Sequence, residues 1–147
     1  MKVKHLLIGI LVACALIVTP SGAYVSDSGY FITSVFPDEN IITPFAAPVY
    51  GTITDGEEEK VRYIVPSGKT RLEISLIWSN SNNDLKLLLT QPNGVDYPIL
   101  SDYVDGYTDA EITIQLNGNV PTGNWEVTII GNNVNGSENY SLYFNAV

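Results

Sequence analysis

Carboxylates crowd three short stretches of this chain. They are Phe36-Pro37-Asp38-Glu39-Asn40, Asp55-Gly56-Glu57-Glu58-Glu59, and the run Asp102, Asp105 and Asp109 with Tyr103 and Tyr107 between. Clustered carboxylates and amides on loops are hard oxygen donors, and calcium takes roughly six to eight such ligands. The bland alternative is a set of acidic turns whose charges simply face water. The third stretch has a second chemistry. Aromatic rings between carboxylates suit sugar stacking or peptide contact, and loops on a rigid scaffold commonly carry binding function. The base rate for loops favours the plainer reading, a polar loop with its rings folded back on a sheet edge.

Catalytic groups are scarce. The chain holds one histidine, His5, and one cysteine, Cys14, both near the N-terminus. A Ser–His–Asp arrangement, a histidine-based zinc site and a thiolate nucleophile therefore have no residues to draw on in the rest of the chain. A paired-carboxylate hydrolysis remains in principle, but short connections leave little room for a substrate cleft. The expectation is a protein that is not an enzyme. Two sequons, Asn135-Gly136-Ser137 and Asn139-Tyr140-Ser141, are candidate glycosylation sites.

The elements that must position these residues are strands. Thr70–Trp78 alternates, with Leu72, Ile74, Leu76 and Trp78 on one face and Arg71, Glu73, Ser75 and Ile77 on the other, which is the period-two pattern of a half-buried strand. The same reading gives strands at Val49–Thr54, Val61–Val65, Asp84–Thr90, Val95–Leu100, Glu111–Leu116, Asn124–Ile130 and Asn139–Asn145. Their inward residues include Leu85, Leu87, Leu89, Ile112, Ile114, Leu116, Trp125, Val127, Ile129, Tyr140, Leu142 and Phe144. Pro66-Ser67-Gly68, Gln91-Pro92-Asn93-Gly94 and Pro121-Thr122-Gly123 punctuate them as turns. About eight short strands at regular spacing, without an amphipathic helix, predict one all-β sandwich or barrel over 48–147. Trp78 and Trp125 are expected in its core. Residues 24–47, rich in small and polar residues, read as an extended lead-in.

The first 23 residues read as an export signal. Lys2, Lys4 and His5 precede the apolar run Leu6 to Val18, and Ser21-Gly22-Ala23 places small residues before a cleavage point after Ala23. The apolar run falls short of the roughly 20 residues a membrane-spanning helix needs. Leu11-Val12-Ala13-Cys14 also matches a lipid-attachment pattern, but the apolar run continues past Cys14, which favours cleavage after Ala23. That cleavage leaves 124 residues with sixteen acids against five Lys and Arg, a net charge of about −11. Such a charge argues against nucleic acid and anionic membranes as partners.

Three strings together resemble a known family. Gly51-Thr52-Ile53 with Val61-Arg62-Tyr63-Ile64-Val65-Pro66-Ser67-Gly68 resembles its opening strand pair. Leu72 to Trp78, Asn83-Asp84-Leu85 and Pro92-Asn93-Gly94 resemble its central hairpin. Gly123-Asn124-Trp125-Glu126-Val127, Gly131 and Asn139-Tyr140-Ser141-Leu142 resemble its closing pair. Over roughly 36–146 the chain is similar to the bacterial and archaeal pre-peptidase C-terminal domain, and so to the collagen-binding modules of secreted collagenases. The resemblance implies a jelly-roll-like antiparallel β-sandwich. It also implies calcium ligands at Asp38, Glu39, Asn40, Asp55, Glu57 and Glu59, with Phe36 standing where the family often carries an acid.

The functional expectation is a secreted or cell-surface, non-enzymatic binding or adhesion module with calcium as a candidate stabilising ion. Its partner would be an extracellular protein or a polysaccharide. The alternatives are a structural subunit of a surface layer or filament, and an accessory or inhibitor of a secreted peptidase.

Overall fold

A computed structural model describes residues 24–25, 31–34, 47–105 and 107–147. The predicted signal therefore lies outside the described residues, as do Asp38, Glu39 and Asn40. The strands are β1 (Tyr24–Val25), β2 (Phe31–Ser34), β3 (Val49–Thr54), β4 (Glu58–Val65), β5 (Arg71–Trp78), β6 (Asp84–Thr90), β7 (Leu100–Ser101), β8 (Glu111–Asn117), β9 (Gly123–Asn132) and β10 (Ser137–Ala146). A single 3-10 turn at Asp102–Asp105 is the one helical element among the described residues. No helix there is long and apolar enough to cross a membrane.

The strands pair antiparallel in two sheets, ordered β1-β2-β8-β5-β10-β3 and β4-β9-β6-β7. Counted from β3, the order is the eight-stranded jelly roll, in which successive strands pass from one sheet to the other except at β6 and β7, which pair in one sheet. β1 and β2 extend the first sheet beyond β8, where Ile32 pairs with Leu116.

Alternation explains the core. β5 and β8 each turn every second residue inward, so Leu72, Ile74 and Leu76 meet the same layer as Ile112, Ile114 and Leu116. Leu85, Leu87 and Leu89 of β6 and Trp125, Val127 and Ile129 of β9 supply the facing layer. Fully burying one such side chain contributes about 1.5–3 kcal/mol. Both tryptophans are in the core as expected, and Tyr63 stacks on Phe144 across the two sheets with ring centroids 4.7 Å apart.

Two segments depart most from the sequence reading, beyond shifts of one or two residues at other strand ends. β4 begins at Glu58, three residues before the expected start, because Glu58, Glu59 and Lys60 pair with Ile130, Ile129 and Thr128 of β9. Ladder pairing there overrides the weak strand preference of charged residues. Val95–Leu100 is not a continuous strand. Asp96 makes one bridge to Thr90, and pairing resumes only at Leu100 and Ser101. Pro98 has no N–H to donate, so a ladder cannot run through it.

Candidate functional site

The second acidic stretch is spread over separate tasks. Asp55 Oδ1 accepts the Val134 backbone N–H at 3.0 Å, which ties the β3–β4 turn to the β9–β10 turn. Glu57 Oε2 accepts from Thr54 N at 2.9 Å and from Thr54 Oγ1 at 3.0 Å. Glu59 lies in β4 and is half-buried, beside the Tyr140 hydroxyl. Burial, and then the charge of Glu59, push that phenol above its ordinary range. Gly51 makes room for the Tyr140 ring, since a Cβ there would collide with it. Among the described residues no group of three or more His, Cys, Asp or Glu side chains is arranged to hold a metal.

In the third stretch Asp102 is buried and turned inward. Its carboxylate accepts the backbone N–H groups of Asp109 at 3.3 Å, Ala110 at 3.4 Å and Glu111 at 3.4 Å. Ala110 has φ 66°, and this left-handed bend helps to converge the three amides on one acceptor. Burial nonetheless outweighs the amides and pushes the Asp102 carboxyl up. Tyr103, Tyr107 and Asp109 are each exposed. The side chain of Asp105 lies outside what is described.

A carboxylate absent from the sequence-based candidates organises this end of the sandwich. Glu138 is 2% exposed. Its Oε1 accepts from Ser79 N at 3.1 Å and Ser79 Oγ at 2.6 Å, and its Oε2 accepts from Asn83 Nδ2 at 2.6 Å. Asn83 in turn accepts Trp78 Nε1 at 3.0 Å through its carbonyl and Asn135 N at 2.9 Å through Oδ1. Burial pushes the Glu138 carboxyl up, but these hydrogen bonds win and hold it below its ordinary value of 4.5. The folded state therefore prefers the ionised form. The stability that Glu138 contributes is present above about pH 4.5 and is lost as the pH falls through its lower folded value. Melting temperatures between pH 7 and pH 3 should fall less steeply for Glu138→Gln than for the unsubstituted chain. Parallel curves would remove Glu138 from the acid limb.

Both outer faces carry charged side chains, with Arg71 and Glu73 on the first sheet and Lys60, Arg62 and Glu126 on the second. On the second sheet Glu126 receives Lys60 Nζ at 2.8 Å and Arg62 Nε at 3.0 Å, which hold its carboxyl below the usual range. On the first sheet a shallow groove of about 560 Å³ opens over β3, β10 and β5. The register sets two rows of outward side chains. Tyr50, Ser141 and Ile77 form one, and Thr52 and Asn139 begin the next, with Ser79 lining the groove just past the end of β5. Neighbouring strands lie about 4.8 Å apart, so the first row spans about 10 Å. Tyr50 is 72% exposed and Ile77 39%. Thr52 Oγ1 donates to Asn139 Oδ1 at 2.7 Å, which fixes the amide. Every residue lining the groove is uncharged. Asn135 is exposed in the β9–β10 turn, whereas Asn139, the other sequon asparagine, lies in the groove itself. A glycan attached to Asn139 would fill the groove.

The sequence marked Asn139 as a sequon and as the first residue of a strand. It placed Tyr50 in a strand and Ile77 on the outward face of one, but nothing local joins positions 50, 77 and 139 into one surface.

No family model and no curated relative matches the sequence. Among solved structures the chain is similar to the Clostridium perfringens CspB protease, with 12% identity, a TM-score of 0.51, and coverage of 66% of this chain and 25% of that one. It is similar to the Yersinia pseudotuberculosis-derived mitogen, with 21% identity, a TM-score of 0.50, and coverage of 69% and 85%. It is also similar to Pseudomonas aeruginosa AlgX, with 10% identity, a TM-score of 0.50, and coverage of 74% and 28%. The chain thus spans about a quarter of the length of the CspB protease and of AlgX. At these identities the likeness extends to the fold, and a fold shared this widely hosts many functions. What these comparisons place is the β-sandwich.

Proposed function

We propose that the chain is an extracellular, non-enzymatic binding or adhesion module that meets its partner through the outer face of β3, β10 and β5. The observation that carries this reading is the open groove with Tyr50 standing 72% exposed at its edge. A tyrosine on a strand presents a large amphipathic ring with few rotors to freeze, which suits contact. The strands beneath are hydrogen-bonded on both sides except at β3, so the platform is pre-organised and little ordering is needed on binding. The export signal read from the sequence supports an extracellular site of action. The resemblance to the pre-peptidase C-terminal domain supports a binding role rather than a catalytic one.

The test is co-sedimentation of the labelled chain with intact cells and extracellular material of the producing organism. Tyr50→Ala is expected to lower the bound fraction at least about tenfold, a loss typical of an interface anchor. Ile64→Ala, on the outer face of the other sheet, is expected to leave it unchanged. Equal loss in both variants, or loss in neither, refutes the groove as the contact surface.

A further inference from the structure

We propose that the ligand of this groove is an uncharged, hydroxyl-rich glycan chain, held by stacking on Tyr50 and by hydrogen bonds from the Thr52–Asn139 pair. The inference rests on the reading of the groove as the contact surface and names what the surface takes.

Charge is the first argument. The chain carries a formal net charge of −9, yet the groove holds no charged side chain. Charged side chains lie outside the groove on both outer faces, Arg71 and Glu73 3.5 Å apart on the first sheet and Lys60 and Arg62 on Glu126 of the second. A polyanion entering the groove would find no cation to offset the desolvation of its charges, and it would approach a protein of its own sign. A polycation would find no carboxylate in the groove itself. The surface selects for neutrality.

Polarity is the second argument. A wholly apolar partner would strip water from Thr52, Asn139 and Ser141 without replacing their hydrogen bonds, which is unfavourable for each polar group left unsatisfied. A polyol replaces them. The Thr52 hydroxyl gives its proton to Asn139 Oδ1 at 2.7 Å. Thr52 Oγ1 thereby presents an acceptor, and Asn139 Nδ2 presents donors, in a fixed relative orientation. Alternating acceptor and donor sites match vicinal hydroxyls, each of which both donates and accepts.

Shape is the third. Pyranose rings have one face of C–H groups and a rim of hydroxyls. Tyr50 offers a ring for the first, and Ile77, 39% exposed one strand beyond Ser141, extends the apolar strip. The second row, built from Thr52 and Asn139, serves the rim. The groove is open rather than closed, so a chain can pass along it and no chain end is required.

Affinity gel electrophoresis of the full chain tests this. Polymers cast in the gel would be xyloglucan, arabinoxylan, β-1,4-galactan and laminarin as neutral glycans, polygalacturonate as a polyanion, and gelatin as a polypeptide. Retardation by at least one neutral glycan is expected, weakened at least about tenfold in Tyr50→Ala and Asn139→Ala and unchanged in Ile64→Ala. It should persist in about 0.5 M salt, where long-range charge effects are screened. Melting curves of the variants check that each is folded. Retardation by polygalacturonate alone, or retardation abolished by salt, overturns the neutral-glycan inference. Retardation by gelatin alone, still dependent on Tyr50, overturns the glycan but leaves the groove as the contact surface. Retardation by nothing on this panel overturns the glycan inference, while Tyr50-dependent sedimentation with cells would still uphold the groove.

Discussion

Truncating Trp125 to alanine is expected to lower the stability of this domain by about 3–5 kcal/mol, the range for large aromatic residues deleted from a core. Trp125 has no exposed surface, sits in β9 between β4 and β6, and stacks with Tyr97 at a centroid distance of 6.3 Å. Its Nε1 also donates to the Pro121 carbonyl at 2.8 Å, pinning the turn that enters β9. Alanine leaves a cavity between the sheets and an orphaned carbonyl. Domains of this size have a net stability of about 5–15 kcal/mol, so the loss is a large fraction of the total. A melting point lower by well over 10 °C is expected, at roughly 4 °C or more per kcal/mol. Trp125→Phe keeps most of the ring and loses the donor, so it should cost markedly less. Urea unfolding of both variants is the measurement, and a loss below about 1 kcal/mol for Trp125→Ala would show that the core collapses around the gap.

Gly131→Ala should be nearly as damaging, for a different reason. A Cβ at Gly131 would overlap the Thr54 carbonyl, because the end of β3 crosses close over β9 there. Neither backbone is free to retreat. Gly56 N donates to Gly131 O at 2.9 Å, and Gly131 N donates to Glu57 O at 3.0 Å. Overpacking costs about 1–3 kcal/mol, and each broken hydrogen bond adds about 1 kcal/mol, so a loss of about 3 kcal/mol or more is expected. Gly136→Ala is the matched control. Nothing lies within 4 Å of a Cβ at Gly136, but its φ is 79°, so only backbone strain of about 1–2 kcal/mol applies. Denaturant midpoints that fell further for Gly136→Ala than for Gly131→Ala would reverse this account.

Much of the fold was legible because alternation is a local property. Leu72, Ile74, Leu76 and Trp78 declare an inward face within a single strand, and the turn at Gln91–Gly94 declares itself by its residue types. The misread segments are those where a distant partner decides. Glu58–Lys60 becomes strand because β9 supplies a ladder, and Val95–Ile99 fails to become one because Pro98 interrupts it. Charged residues were legible as clusters but not as roles. Asp102 reads as a loop carboxylate until three amides from Asp109 to Glu111 are seen to converge on it. Glu138 carries no local signal, since a lone glutamate at the start of a strand reads as solvated. Its burial follows from Ser79 and Asn83, more than 50 residues away.

By itself the sequence determined the class of this protein: an all-β sandwich, with a core face assignable residue by residue and no histidine or cysteine for catalysis beyond the first 23 positions. Only the tertiary structure decided which outward faces stand side by side. Side-chain alternation depends on one strand's backbone, whereas strand order depends on which long-range ladders close. Tyr50, Ile77 and Asn139 share a groove because β10 is laid between β3 and β5.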